Sequence, residues 1–272
     1  MSLHILVTGA GGFVGRRLIA RLKAHGHRTE IFPHDLTQPF SLDGSFDVVV
    51  HLAAYNITSV GERNEAFYAA VNVEGTKRLL ETVHAKRFFY LSTVKVYKNE
   101  GKPLIEESPL GPVGGYEQSK LKAEEICRQL IPQDSLVILR SVNVLGWGQA
   151  PKAVLPVFFE KARANQPLDI MGSAQTPMQF VYVEDLIDAI EAVMERQVSG
   201  VFNVAGDETV TLEQLARRII AITQSSSVVH ANANAPKGIF SPVVAAKAHQ
   251  QLGWKAKTDL DRILKFYAES KS

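Results

Sequence analysis

The chain has 272 residues, 46% hydrophobic and 21% charged, the balance of an ordinary globular protein with length enough to bury a substantial core. Its net charge is only +2, with no basic run longer than Arg16-Arg17 or Arg217-Arg218, so neither nucleic-acid binding nor attachment to a membrane is expected. A single cysteine, Cys127, excludes an internal disulfide and a cysteine-rich metal site, and the apolar start Leu3–Val7 is too short for a signal-peptide core. No apolar stretch approaches membrane-spanning length, and a cytoplasmic protein is the expectation.

His4–Thr8 is predicted as a buried first strand. A glycine turn follows, then a helix over Val14–His25 with Val14, Leu18, Ile19 and Leu22 on one face. Gly26 ends that helix, and Thr29–Phe32 reads as a second short strand. Asp47–Leu52 is a continuous apolar run, as strands are when helices cover both faces of their sheet. Glu62–His84 is predicted as a long helix, Arg87–Ser92 as a strand, Tyr116–Leu130 as a helix and Leu136–Arg140 as a strand. This alternation predicts an α/β fold, a doubly wound parallel sheet of Rossmann type with helices on both faces.

Beyond about Gly146 the alternation loosens, and Pro151, Pro156, Pro167 and Pro177 punctuate shorter elements. Gly200–Val204 is predicted as a late strand and Leu212–Thr223 as a helix opened by a capping box of Thr211 and Gln214. Gln224–Ala235 reads as an irregular connection and Asp259–Ser270 as a last helix. The expected organisation is a dinucleotide-binding domain over residues 1–145 that carries the catalytic residues. Residues 146–272 are expected to form a small mixed region that mainly binds substrate, with some segments returning to the first domain.

The loop Thr8-Gly9-Ala10-Gly11-Gly12-Phe13-Val14-Gly15 lies between first strand and first helix. Gly9 permits the tight turn, Gly12 lets the backbone approach a pyrophosphate, and Gly15 lets the helix pack on the strand. The helix start offers free amides and a positive dipole end to phosphate. Further on, Tyr116 and Lys120 stand four residues apart and so share one helix face. A phenol of pKa ~10 is a poor base at neutral pH, and an adjacent ammonium eases its ionisation.

The spacing Thr-Gly-x-x-Gly-x-x-Gly resembles the extended short-chain dehydrogenase/reductase family, of the NAD-dependent epimerase/dehydratase type. The resemblance continues in family order through Asp35-Leu36-Thr37, His51-Leu52-Ala53-Ala54, Asn72-Val73-Glu74-Gly75-Thr76, the segment Leu139–Gly146, the segment Phe180–Asp185 and Gln251-Leu252-Gly253-Trp254. It implies a catalytic set of Thr93, Tyr116 and Lys120. Thr93 would bond the reacting oxygen, Tyr116 would exchange its proton, and Lys120 would also hold the nicotinamide ribose. Cofactor binding is implied for Gly9, Gly12, Phe13, Val14, Arg16, His34, Asp35, Leu36, Leu52, Ala53, Ala54, Asn72, Tyr116 and Lys120. Substrate binding is implied for Thr93, Val94, Asn143 and Met178. The cofactor is NAD or NADP. An acid closing the second strand would favour NAD, but Pro33 and His34 stand there, and with Arg16 nearby the residues lean towards NADP.

No metal is expected, because the eight histidines show no ligand spacing. Cys127 lies eleven residues past Tyr116, about 16 Å along the helix, and reads as packing. Glu106-Glu107 reads as a solvated loop, and Asp185 as a helix-opening acid.

Dehydratases of this family carry Asp-Glu after the catalytic threonine; Val94 and Lys95 stand here, which disfavours dehydration. Simple hydride transfer remains, by an epimerase or a reductase, on a nucleotide sugar or related carbohydrate. In length and in its short connection from His34 to Asp47 the chain is similar to the dTDP-4-dehydrorhamnose reductases. Met178-Gln179 stands where many sugar-nucleotide enzymes carry a diphosphate-binding arginine, which weakens the nucleotide-sugar reading without removing it, with Lys152, Arg163 and Lys237 as candidate substitutes. The other reading is an NADP-binding sensor without turnover, against which the Tyr116–Lys120 pair argues. The partner is a small molecule, and a homodimer through helices 62–84 and 116–130 follows the family habit.

Overall fold

Six strands, the inner ones with side chains buried on both faces, form the frame of the molecule, for which the computed structural model describes residues 2–57, 64–170, 172–232 and 235–270. They are β1 (His4–Thr8), β2 (Arg28–Ile31), β3 (Ser45–His51), β4 (His84–Thr93), β5 (Leu136–Ser141) and, from much later in the chain, a strand over Gly200–Val204. They lie in the spatial order β2, β1, β3, β4, β5 and 200–204, all parallel. The pleat sorts their side chains between two cores. Ile5, Val7, Val48, Val50, Phe89, Val137 and Leu139 face one side, against α1 (Phe13–Ala24) and a later helix, Val183–Arg196. Leu6, Val49, Phe88, Tyr90, Leu136 and Ile138 face the other.

On that second side, α2 (Glu65–Phe67) runs through a π-helical stretch, Tyr68–Glu74, into α3 (Gly75–Thr82). Beside it lies α4 (Gly115–Leu130), whose Ala123 and Cys127 enter the same core as Leu79. Chain order reverses direction at β1, with β2 on one flank and β3 on the other, and the crevice at this switch point is where open α/β sheets bind ligands.

The remainder is β6 (Asn143–Leu145), α5 (Val154–Arg163), β7 (Leu168–Ile170), β8 (Pro177–Tyr182), α6 (Val183–Arg196), β9 (Gly200–Val204), β10 (Thr209–Thr211), α7 (Leu212–Ile222), β11 (Val229–Ala231), α8 (Ala246–Leu252) and α9 (Leu260–Glu269). A third core, with Phe158, Phe159, Phe180, Leu215, Ile219, Leu264 and Tyr267, holds α5, α7 and α9 around the small sheet β10-β8-β6. Thus β9 completes the large sheet while α6 covers it, and after 205 the chain supplies β10, α7, β11 and α9 to the smaller unit. By contrast, α8 packs back on β9 and α6, with Ala248, Leu252 and Trp254 in the first core. No helix among the described residues is long and apolar enough to cross a membrane.

Several elements differ from expectation. The helix expected to reach His84 stops at Thr82, because Val83 turns extended and His84 and Ala85 pair with Ser45 and Phe46 of β3. Its expected first residues, Glu62 and Arg63, lie outside the described residues. The expected irregular connection 224–235 contains β11, which pairs in parallel with β7. Glu106 is no solvated loop residue, since its carboxylate accepts the Asn203 N–H of edge strand β9 at 2.8 Å.

Candidate active site

The carboxyl ends of β1 to β5 open onto one trough of about 1190 Å³. Its first wall is the glycine loop. Gly9 has φ +67°, and a Cβ there would stand 2.6 Å from the Ala53 amide. A Cβ on Gly15 would meet the Gly9 carbonyl at 2.2 Å. Only glycine lets the first turn, the Leu52–Ala54 segment and α1 close together so tightly. Gly12 precedes α1, whose first turn carries no acid, so the positive helix end faces the trough unopposed. Arg16 donates to the Gly11 and Gly148 carbonyls, fastening the loop to the far wall. At the other end His34 stacks on Phe40, and Asp35 folds its carboxylate back onto the Thr37 amide and hydroxyl.

A buried polar chain fixes the floor. The Ala53 N–H donates to Thr8 Oγ1 (3.1 Å), which directs the Thr8 hydroxyl hydrogen to His51 Nδ1 (2.6 Å). His51 Nε2 then donates to Thr76 Oγ1 (2.9 Å), whose hydrogen goes to the Asn72 carbonyl (2.7 Å). These partners assign the Nε2–H tautomer. Burial, with help from Lys120, holds His51 neutral, down to about 3.

Asn72 does not line the trough as a cofactor ligand would. Its amide accepts from Tyr55 N and donates to Tyr55 O and Ser119 Oγ, clamping the segment after β3 onto α4. The remaining expected cofactor residues, Gly9, Gly12, Phe13, Val14, Arg16, His34, Asp35, Leu36, Leu52, Ala53, Ala54, Tyr116 and Lys120, all line it.

The three expected catalytic residues, Thr93, Tyr116 and Lys120, all line this trough. Thr93 ends β4 and caps a short 3₁₀ turn, so its Oγ1 accepts the Lys95 N–H (3.3 Å) and keeps its own hydrogen to donate. Tyr116 and Lys120 come from the first turns of α4. Burial pushes the Tyr116 phenol above the ordinary tyrosine range, with Glu117 and Tyr68 adding to the shift. Burial also pulls the Lys120 amine down to about 7, and its Nζ stands over the Tyr90 ring, 4.0 Å from the centroid. Burial, rather than the amine, therefore sets the phenol, which holds its proton at neutral pH.

Beneath this trio sits an ion pair that sequence reasoning missed. Glu124 accepts from Ser92 Oγ (2.5 Å) and from Arg140 Nε and Nη2 (3.0 and 2.6 Å). Burial works against the Glu124 charge, but the Arg140 and Ser92 bonds outweigh it and hold the carboxyl below its usual range. Glu124 continues the face of Tyr116 and Lys120 by one further turn, which is the only sequence signal it offered. Cys127, on the same helix, is buried packing whose thiol burial pushes up to about 12.

A second cleft of about 380 Å³ shares Thr93, Lys95, Val142 and Asn143 with the trough. It is also lined by Val94, Met178 and Gln179, and Val113, 91% exposed, stands at its rim. Gln179 is spent on backbone partners, donating to the Gly206 and Val243 carbonyls and accepting the Val243 amide. Arg163 bonds the Ala268 carbonyl, and none of Lys152, Arg163 and Lys237 lines the cleft. Asp185 does stand in the first turn of α6, but its carboxylate accepts the Thr258 and Lys257 amides, latching the segment before α9.

The sequence profile of the NAD dependent epimerase/dehydratase family matches residues 5–205. The chain is 29% identical over 243 residues to the dTDP-D-glucose 4,6-dehydratase of Homo sapiens, covering 82% of this chain but 69% of that protein. It is 27% identical over 304 residues to the dTDP-4-dehydro-6-deoxyglucose reductase of Escherichia coli, covering 94% of both. Among solved structures, that of RMD from Pseudomonas aeruginosa complexed with NADPH superposes with a TM-score of 0.86 at 25% identity, over the whole of both chains.

Proposed function

The protein belongs to the NAD dependent epimerase/dehydratase family, and on that basis we propose that it transfers hydride between a nicotinamide dinucleotide and a hydroxyl or ketone carbon of a nucleotide sugar or related carbohydrate. The observation that carries this reading is the meeting of Thr93, Tyr116 and Lys120 in one trough with the glycine loop. The trough fits the cofactor: its volume is about 1190 Å³, its start is glycine backbone held so close to Ala53 that a Cβ at Gly9 would clash, and the α1 amides open into it. Residues 1–145 hold the dinucleotide and the reacting groups in this reading, and 146–272 mainly shape the substrate cleft.

The bound nicotinamide supplies or accepts the hydride. The chain's own residues do the rest. Thr93, its acceptor side taken by Lys95, donates to the substrate oxygen. Tyr116, holding its proton, delivers it to that oxygen as the carbon is reduced. Lys120 bonds the ribose of the cofactor.

Reduction is favoured over dehydration because Val94 and Lys95 offer no acid beside Thr93. It also agrees with the chain spanning 94% of the bacterial reductase against 69% of the human dehydratase. NADP is the preferred cofactor in this reading: Glu30, the acid on β2, is occupied by His4 and Arg28, while Arg16 and His34 line the trough. A cytoplasmic homodimer through the outer faces of α3 and α4 completes it, and sedimentation decides the assembly.

The test is NADPH oxidation with a panel of nucleotide-linked ketosugars and simple ketones. Turnover that Tyr116→Phe abolishes while NADPH still binds is the expected result. Turnover indifferent to that substitution would overturn the assignment.

A further inference from the structure

Lys120 is only 3% exposed, and an ammonium so placed requires a partner that compensates for lost water. The groups around it are few. Glu124, one turn along α4, is already spent on Ser92, Arg140 and Arg128. His51, from β3, is neutral, and so is Cys127 of α4. Tyr116, on the same helix face, keeps its proton and is flanked by Tyr68 of the π-helical stretch. What meets the amine is the ring of Tyr90 from β4, whose centroid lies 4.0 Å from Nζ.

The face of an aromatic ring is its negative pole, and a desolvated cation against it is attracted strongly. The Tyr90 hydroxyl, by contrast, is buried with no hydrogen-bond partner among the described residues. The contribution of this tyrosine is therefore its ring and not its oxygen. We infer that Tyr90 is a positioning residue: the face of its ring seats the Lys120 ammonium on the floor of the trough and favours its charged form. The functional meaning rests on the hydride-transfer reading, because a charged amine in that place is what bonds the cofactor ribose.

The titration of the amine can be read without cofactor or turnover, from the ¹³Cε resonance of labelled lysine, with Lys120→Met assigning the signal. Tyr90→Phe is expected to leave the midpoint in place. Fluorinated phenylalanines at position 90, which drain the ring face without changing its shape, are expected to lower it stepwise. Tyr90→Leu is expected to lower it by about one pH unit, and the pH above which NADPH affinity declines is expected to fall with it.

A flat fluorine series, or a Tyr90→Phe shift as large as that of Tyr90→Leu, would sink the inference. Should the leucine variant not fold, the fluorinated series still decides. A flat series in a protein that turns over normally removes the ring's role alone. A stepwise series in a protein that never transfers hydride leaves the ring's role standing and removes the enzymatic reading.

Discussion

The trough and the second cleft share Thr93 and Asn143 yet are built by opposite means. The trough is anchored on the glycine-loop backbone and the Leu52–Ala54 segment at neighbouring strand ends, braced by the fully paired chain Thr8–His51–Thr76. The cleft is made of side chains from segments far apart in sequence, with β4, β8 and residues 239–243 brought together across the two units. A site of backbone amides and turns tolerates little change and suits a constant ligand. One walled by interchangeable side chains can be retuned without disturbing its neighbour, which is how one scaffold serves many substrates.

That contrast is open to attack by substitution. Tyr116→Phe, at the junction, is expected to lower kcat by about 10²–10⁴-fold with the NADPH dissociation constant unchanged, in steady-state assays beside fluorescence titration. Loss of binding instead would mean that the two regions are not separable there. Gly9→Ala attacks the trough alone. With φ +67° and a Cβ 2.6 Å from Ala53 N, it should cost about 2 kcal/mol in denaturant unfolding and remove NADPH binding.

Lys120→Met sharpens the comparison through pH. The folded amine titrates at about 7 and the unfolded one at 10.5, so the unfolded chain holds the extra proton between those values. The stability contribution of this residue therefore rises with pH across that window and is smallest below it. The methionine variant should lose that slope and gain about 1 kcal/mol at pH 7, seen in melts from pH 6 to 10, while losing activity. Smallest is Met178→Ala in the cleft, expected to raise KM several-fold, about 1 kcal/mol of apolar contact, with NADPH binding untouched. An equal effect on NADPH binding would dissolve the distinction.

The same contrast explains what the sequence disclosed. Gly9, Gly12 and Gly15 are legible because their chemistry is local, a turn between a strand and a helix. The six-strand parallel frame is legible because both-face burial makes β3 and β5 continuous apolar runs. Asn72 misleads because its signature is a helical one, while its side chain is consumed holding Tyr55 and Ser119, residues 17 and 47 positions away. The Glu124–Arg140 pair and the Tyr90 ring beneath Lys120 were invisible for the same reason, since helix and strand meet only in the folded chain. Strand β11, three residues long, exists because β7 lies beside it, and no periodicity announces it.

The late arrival of β9 at the edge of the large sheet bears on how the chain is synthesised. Every residue of β5 is buried, and its outer hydrogen-bonding edge is satisfied by residues 200–204. A nascent chain halted at residue 145 would carry that apolar strand with an open edge, a template for pairing with its neighbours. Truncation there should yield aggregates, and a soluble first half would require the β9 segment to be grafted back, as a permuted chain could do.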